Sequence, residues 1–311
     1  MSEQFYQRDV YGQTLVELGL RDKNIVVLDA DLSSSTRTSL FAKQFPDRFF
    51  NFGVAEQNMM AAAAGIASCG KTVFVSTFAV FASGRAWDQV RISISYNNFN
   101  VKIVATHAGI TVGPDGASHQ ALEDIALMRV LANMNIIVPC DGPQTAEAIM
   151  AAASNPGPFY IRLGRTKIPT IENKGEFKFG QAQTITEGND ATIIACGVMV
   201  SEAFLAVKSL AQKGINVRLI NIHTIRPLDS AAILKAAKET KLIVVCEEHN
   251  VIGGLASSID EVVAENFPVK VMRIGIRNRF GQSGEPEDLL KEYHLSSLDI
   301  EKAVLSNISQ G

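Results

Sequence analysis

Short apolar runs alternate with amphipathic stretches along the whole chain. The runs Asn24–Leu28, Thr72–Ser76, Val101–Ala105, Asn135–Val138, Phe159–Leu163, Ala191–Cys196, Asn216–Asn221, Lys241–Cys246 and Val269–Ile274 are rich in Val and Ile. Most are apolar on both sides rather than alternating, which suits strands buried on both faces of a parallel sheet. Between them, helical spacing predicts helices over Asn58–Ala67, Arg85–Tyr96, Leu122–Ala132, Pro143–Ala153, Ser201–Gln212 and Ser230–Glu239. Asp141, Gly142 and Pro143 read as a helix start, with proline in the first turn, and Lys213–Gly214 as a helix stop. Strand and helix in alternation predict an α/β fold. Near 167–190 the sequence turns polar, carries Pro and Gly, and loses any helical stripe. That break predicts two domains, each a mostly parallel sheet flanked by helices, over 1–170 and 190–311 with a linker of 171–189.

Composition narrows the classes of function. The chain has 311 residues, 47% of them hydrophobic and 20% charged, enough apolar surface for two cores. A net charge of −3 offers no basic excess for nucleic acid or an anionic membrane surface. The longest apolar stretches, such as 72–84, fall short of the roughly 20 residues that span a bilayer. The start of the chain, MSEQFYQRDV, has no apolar signal core. The expectation is a cytoplasmic protein with no membrane or nucleic-acid partner. Cys69, Cys140, Cys196 and Cys246 are widely spaced, with no metal-ligand pattern, and read as reduced thiols.

Chemistry-bearing residues concentrate in the first domain. The segment from Thr106 to Gln120 follows a predicted strand and packs His107, Asp115, His119 and several glycines into one loop. Ligands of α/β sheets bind at the carboxyl ends of strands, where a rigid scaffold poises loop groups. Two histidines and an aspartate also invite a metal site, but the rest of the chain offers no evident further ligands, so none is expected. Glu56 stands in the first turn of an Ala-rich helix among apolar neighbours. That is either a carboxylate facing the helix dipole or a carboxyl suited to proton relay. Phe78 and Phe81, at i and i+3 after the strand 72–76, would share a helix face. Arg8, Ser35 and Arg162 are each ordinary taken singly, and His223, His249 and His294 read as structural. The glycines at 109–113 and 253–254 lack the spacing of a phosphate-binding fingerprint.

Taken in order, FGVAEQNM, STFAVF, WDQVR, THAGITVGPDGASHQALEDIALMR and IRLGR resemble the pyrimidine-binding domain of transketolases. NIHTIRPLD and EEHNVIGGLASSIDEVVAE resemble the transketolase C-terminal domain. The resemblance covers nearly the whole chain, and the DGASHQ loop is its most specific part. It implies a subunit of a split transketolase that transfers a two-carbon ketol unit between sugar phosphates, as in the pentose phosphate pathway. The diphosphate-binding domain of that family, with its Gly-Asp-Gly motif, has no counterpart here. The resemblance therefore implies an N-terminal partner subunit that holds Mg2+ and the diphosphate of thiamine diphosphate, in a dimer of heterodimers.

The family's roles carry over where positions match. Glu56 resembles the glutamate that hydrogen-bonds the aminopyrimidine ring, and an apolar setting would favour its protonated form. Phe78 and Phe81 resemble the aromatic pocket around that ring, whose third aromatic has no equivalent near Gly84. Asp115 and His119 resemble contacts to sugar hydroxyls, with His119 a second catalytic group beside Glu56. Arg8, Ser35, His107 and Arg162 resemble the group that holds the sugar phosphate, and Asp31 one that faces the cofactor. The rivals are 1-deoxy-xylulose-5-phosphate synthase, which typically has an acidic residue where His107 stands, and the beta subunit of a 2-oxo-acid dehydrogenase, which the DGASHQ loop fits poorly. A non-catalytic regulatory subunit is the rival from another class.

Overall fold

A computed structural model describes residues 3–172 and 174–308. The first sheet has seven strands in the order Thr224–Arg226, Asn135–Ile137, Phe159–Arg162, Val101–Thr106, Thr72–Phe78, Ile25–Asp29 and Phe49–Asn51. All run parallel except Thr224–Arg226. The second sheet has five, in the order Lys270–Ile276, Leu242–Asn250, Ala191–Ala195, Val217–Asn221 and Gln183–Thr186, of which only the last is antiparallel. Every residue of Ile25–Asp29 and Val101–Thr106 is buried, because helices cover both faces. The chain is thus two α/β units, as the alternating pattern predicts. Among the described residues no helix is long and apolar enough to cross a membrane.

Two strands depart from the predicted division. Gln183–Thr186 falls inside the polar stretch read as linker, yet it pairs with Val217–Asn221 and closes the edge of the second sheet. An edge strand needs little apolar character, so its sequence resembles a loop. Thr224–Arg226, from the second unit, adds antiparallel to Asn135–Ile137 at the edge of the first sheet. The two units also share one core, in which Ile136, Val138 and Tyr160 cluster with Ile194, Ile220, Ile222 and Ile243. Fully burying such a side chain contributes about 1.5–3 kcal/mol, so this seam fixes one unit against the other.

Local sequence explains the helices around the site. Asp141 accepts the Gln144 N–H at 2.8 Å and caps the helix Gly142–Ser154, with Pro143 in its first turn. The helix Gln7–Arg21 has no clean apolar stripe, since its buried side includes Gln7, Gly12, Thr14 and Gly19. Small residues are needed there: a Cβ on Gly19 would strike the rings of Phe41 and Phe45. The helix predicted over 85–96 is α-helical only at Trp87–Gln89, with π-type turns at Phe81–Arg85 and Val90–Ser95. Such turns insert residues into a helix and recur at functional sites.

Candidate active site

The candidate residues gather at the carboxyl edge of the first sheet. Asp29 ends its strand with a buried carboxylate that accepts from the Leu32 N–H and from the hydroxyls of Thr36 and Thr38. Burial pushes this carboxyl up, and these hydrogen bonds pull against that shift. They fix the turn bearing Asp31 and the short helix Ser33–Thr36 bearing Ser35. Asp31 has φ 64° and is exposed, and its carboxylate accepts from Asn51 on the neighbouring strand at 2.9 Å.

Glu56 opens the helix Glu56–Ser68 and is 2% exposed. Its surroundings are not purely apolar, contrary to the sequence-based expectation: Arg85 Nη1 donates to Glu56 Oε1 at 2.9 Å. The Arg85 guanidinium also lies over the Phe81 ring, 4.5 Å from its centroid. Phe78 ends its strand and Phe81 starts the π-type turn, so they share no regular helix face. Their rings nevertheless stack at 6.0 Å with an interplanar angle of 17°. Phe78 stacks in turn on His107 at 3.9 Å, and His119 meets Phe78 and Phe81 edge-on at 6.1 and 5.5 Å.

His107 adopts φ 58°, and its Nε2 lies 3.5 Å from Arg8 Nη1 while Nδ1 lies 2.9 Å from Thr106 Oγ1. Arg8 can only donate, so the network assigns the ring proton to Nδ1. Burial, reinforced by Arg8, Arg165 and His119, pushes the imidazole down to about 3. The ring is therefore neutral at ordinary pH. The unfolded ring takes up its proton near 6.5 and the folded ring only near 3, so the unfolded state binds more protons in between. Stability is fully present above the unfolded value and falls as the pH drops. Urea unfolding between about pH 7.5 and pH 5 should show that loss, and His107→Gln should flatten it. His223, also pushed down by burial to about 4, supplies a remaining slope. Equal slopes in parent and variant would contradict the assignment.

Arg162 lies deeper than the sequence-based expectation of a phosphate-holding group foresees. This arginine is 5% exposed, its Nε donates to Asp124 at 2.8 Å, and its Nη2 donates to the carbonyls of Ala121 and Glu248. It is a buried strut between the two units, with three of its five N–H donors engaged by Asp124, Ala121 and Glu248. Arg165, which sequence reasoning passed over, lies near the site instead: its guanidinium is 3.9 Å from Asp115 and its charge acts on His107. Its position could have marked it. Phe159–Arg162 is an entirely buried strand, and Arg165 follows the break at Gly164, on the edge where ligands bind. Asp115 is exposed, His119 half-buried and Ser35 half-buried on its own short helix.

Among the described residues no group of three or more His, Cys, Asp or Glu side chains could hold a metal. A cavity of about 890 Å3 opens between the segment 166–172 and the helices Met199–Gln212 and Pro286–Glu292, and none of the candidate residues lines it. The candidate site is instead an edge-on wall, with Phe50 and Val54 exposed a few residues before Glu56.

Known proteins share both units. Residues 3–170 match the family described as transketolase, pyrimidine binding domain, and residues 180–300 match transketolase, C-terminal domain. The solved structure of a split-gene transketolase, an inactive beta4 tetramer, is 48% identical, covers 97% of this chain and 98% of its own, and superimposes with a TM-score of 0.90. The 6-deoxy-6-sulfo-D-fructose transketolase subunit SqwH of Clostridium sp. (strain MSTE9) is 40% identical, over 97% of this chain and 94% of that relative. An apulose-4-phosphate transketolase subunit of Phocaeicola vulgatus is 38% identical, over 97% of each chain. The chain belongs to the transketolase family, among its split subunits.

Proposed function

We propose that this chain is the subunit of a thiamine-diphosphate-dependent transketolase that transfers a two-carbon ketol unit from a ketose phosphate to an aldose phosphate. A partner chain would carry the domain that holds the diphosphate and Mg2+. One observation carries this reading, a continuous wall of contacts. Glu56 binds Arg85, Arg85 covers Phe81, Phe81 stacks on Phe78, Phe78 on His107, and His107 reaches Arg8. A flat apolar face beside a buried carboxyl fits an aminopyrimidine ring. When bound, thiamine diphosphate supplies the nucleophile and electron sink for breaking a bond next to a carbonyl. This chain's residues do the rest. Phe78 and Phe81 orient the ring, and Glu56 holds a proton toward its nitrogen. Asp115 and His119 orient the sugar hydroxyls. The guanidinium groups of Arg8 and Arg165 suit a tetrahedral anion at the sugar's far end, and neutral His107 braces Arg8 through Nε2.

The inactive beta4 state of the 48%-identical split-gene relative supports a need for a second kind of chain. The exposed Phe50 and Val54 near Glu56 suit burial against it. A transketolase of this kind, assembled with its partner, should convert xylulose 5-phosphate and ribose 5-phosphate, and should not condense pyruvate with glyceraldehyde 3-phosphate. Because relatives are named for a sulfonated sugar and for apulose 4-phosphate, those donors belong in the same assay. Turnover of pyruvate alone would replace this reading with that of a 1-deoxy-xylulose-5-phosphate synthase-like enzyme.

A further inference from the structure

The loop from His107 to Gln120 carries three of the proposed substrate-site residues, and its regular structure is limited to 3-10 turns over Ile110–Asp115 that break at Gly113. Its backbone turns on Gly109, Gly113 and Gly116, at φ 84°, 81° and 75°. The C-terminal unit grips this loop at two places. From behind, Glu248 on the strand Leu242–Asn250 presses its carboxylate against Gly109, where any Cβ would collide with it. The same carboxylate accepts the Thr111 N–H at 2.5 Å, across 137 residues of sequence. Glu248 is itself 2% exposed, and Arg162 holds its backbone carbonyl at 2.9 Å. From the front, the Gln120 amide donates to the carbonyls of Ile110 and of Gln282 in the C-terminal unit. Ser283 abuts Gly116, and Pro286 abuts Gly113.

We propose that Glu248 is a positioning residue for sugar binding, through which the C-terminal domain sets the geometry of the loop bearing His107, Asp115 and His119. Its carboxylate is the acceptor that the Thr111 N–H finds at a point where the glycine-rich backbone has no ladder partner. A glycine at 109 lets the carboxylate come close enough to serve. The proposal rests on the ketol-transfer reading for its kinetic consequence and on this chain alone for its structural one.

The test uses Glu248→Ala and Glu248→Gln, the second keeping an acceptor oxygen at the same reach. Amide hydrogen exchange of the peptides covering 109–120 is read in the chain by itself, and steady-state kinetics in the assembled enzyme. Glu248→Ala should speed exchange across 109–116 at least about tenfold and raise the KM for the ketose phosphate about tenfold, with cofactor affinity unchanged. Glu248→Gln should restore both to within about threefold. Should Glu248→Ala not fold, Glu248→Asp, which withdraws the carboxylate by one methylene, must show the same two effects. Unchanged exchange in the alanine variant overturns the proposal. So does faster exchange with an unaltered KM, or an equal effect of alanine and glutamine. A parent complex that transfers no ketol unit would sink the functional reading instead, and the exchange measurement would still decide whether Glu248 holds the loop.

Discussion

Glu56→Gln and Glu56→Ala, assembled with the partner chain, should lose at least about a hundredfold in ketol transfer while the complex still forms. The carboxyl is buried at the start of a helix and lies at one end of the aromatic wall. Gln preserves its shape and its contact range, and removes only its capacity to exchange a proton with the ring. The structural cost is small. Arg85, which the alanine variant leaves without its Glu56 Oε1 contact, is 48% exposed and can be solvated, so leaving its guanidinium unpartnered costs no more than about 1 kcal/mol. Melting temperature and assembly by size-exclusion chromatography should therefore match the parent. Near-normal turnover in either variant would remove Glu56 from the chemistry.

The second large effect separates two arginines three positions apart. Arg162→Ala should destabilise the chain by about 3–5 kcal/mol, because it leaves Asp124 buried without its cationic partner. The Tyr160 hydroxyl still donates to Asp124 at 2.7 Å, but a neutral donor does not replace the guanidinium. The carbonyls of Ala121 and Glu248 each lose a hydrogen bond in the same change, so the seam between the units loosens. Arg165→Ala should leave stability within about 0.5 kcal/mol and raise the KM for the phosphorylated sugar about tenfold. Urea unfolding of the chain and steady-state kinetics of the complex read the two outcomes. A stable Arg162→Ala chain with weakened sugar binding, beside an unaffected Arg165→Ala, would reverse the assignment.

The contrast shows where sequence reading succeeds and where it stops. Strands such as Val101–Thr106 are legible because burial on both faces demands a continuous apolar run. The edge strand Gln183–Thr186 is not, since its exposed side tolerates the polarity of a loop. The aromatic pair Phe78 and Phe81 and the loop from His107 to His119 stand out because aromatic and titratable groups cluster there over short spans. Arg162 misleads for the opposite reason. Its partners Asp124 and Glu248 lie 38 and 86 residues away, and only the packing of the two units shows that its guanidinium is already engaged. Arg85 is similar. It approaches Glu56 from a π-type turn, whose inserted residue shifts a side chain off the face that regular helical spacing would assign. The grip of Glu248 on Thr111 joins residues 137 positions apart, so no local motif announces it.

The central claim is that this chain forms one wall of a composite site, and thiamine diphosphate titration tests it most directly. Calorimetry of the chain alone, of the N-terminal transketolase chain alone, and of the two mixed with Mg2+ compares the three states in one experiment. Tight binding is expected only in the mixture. Binding by this chain alone with the affinity of the mixture would contradict the claim.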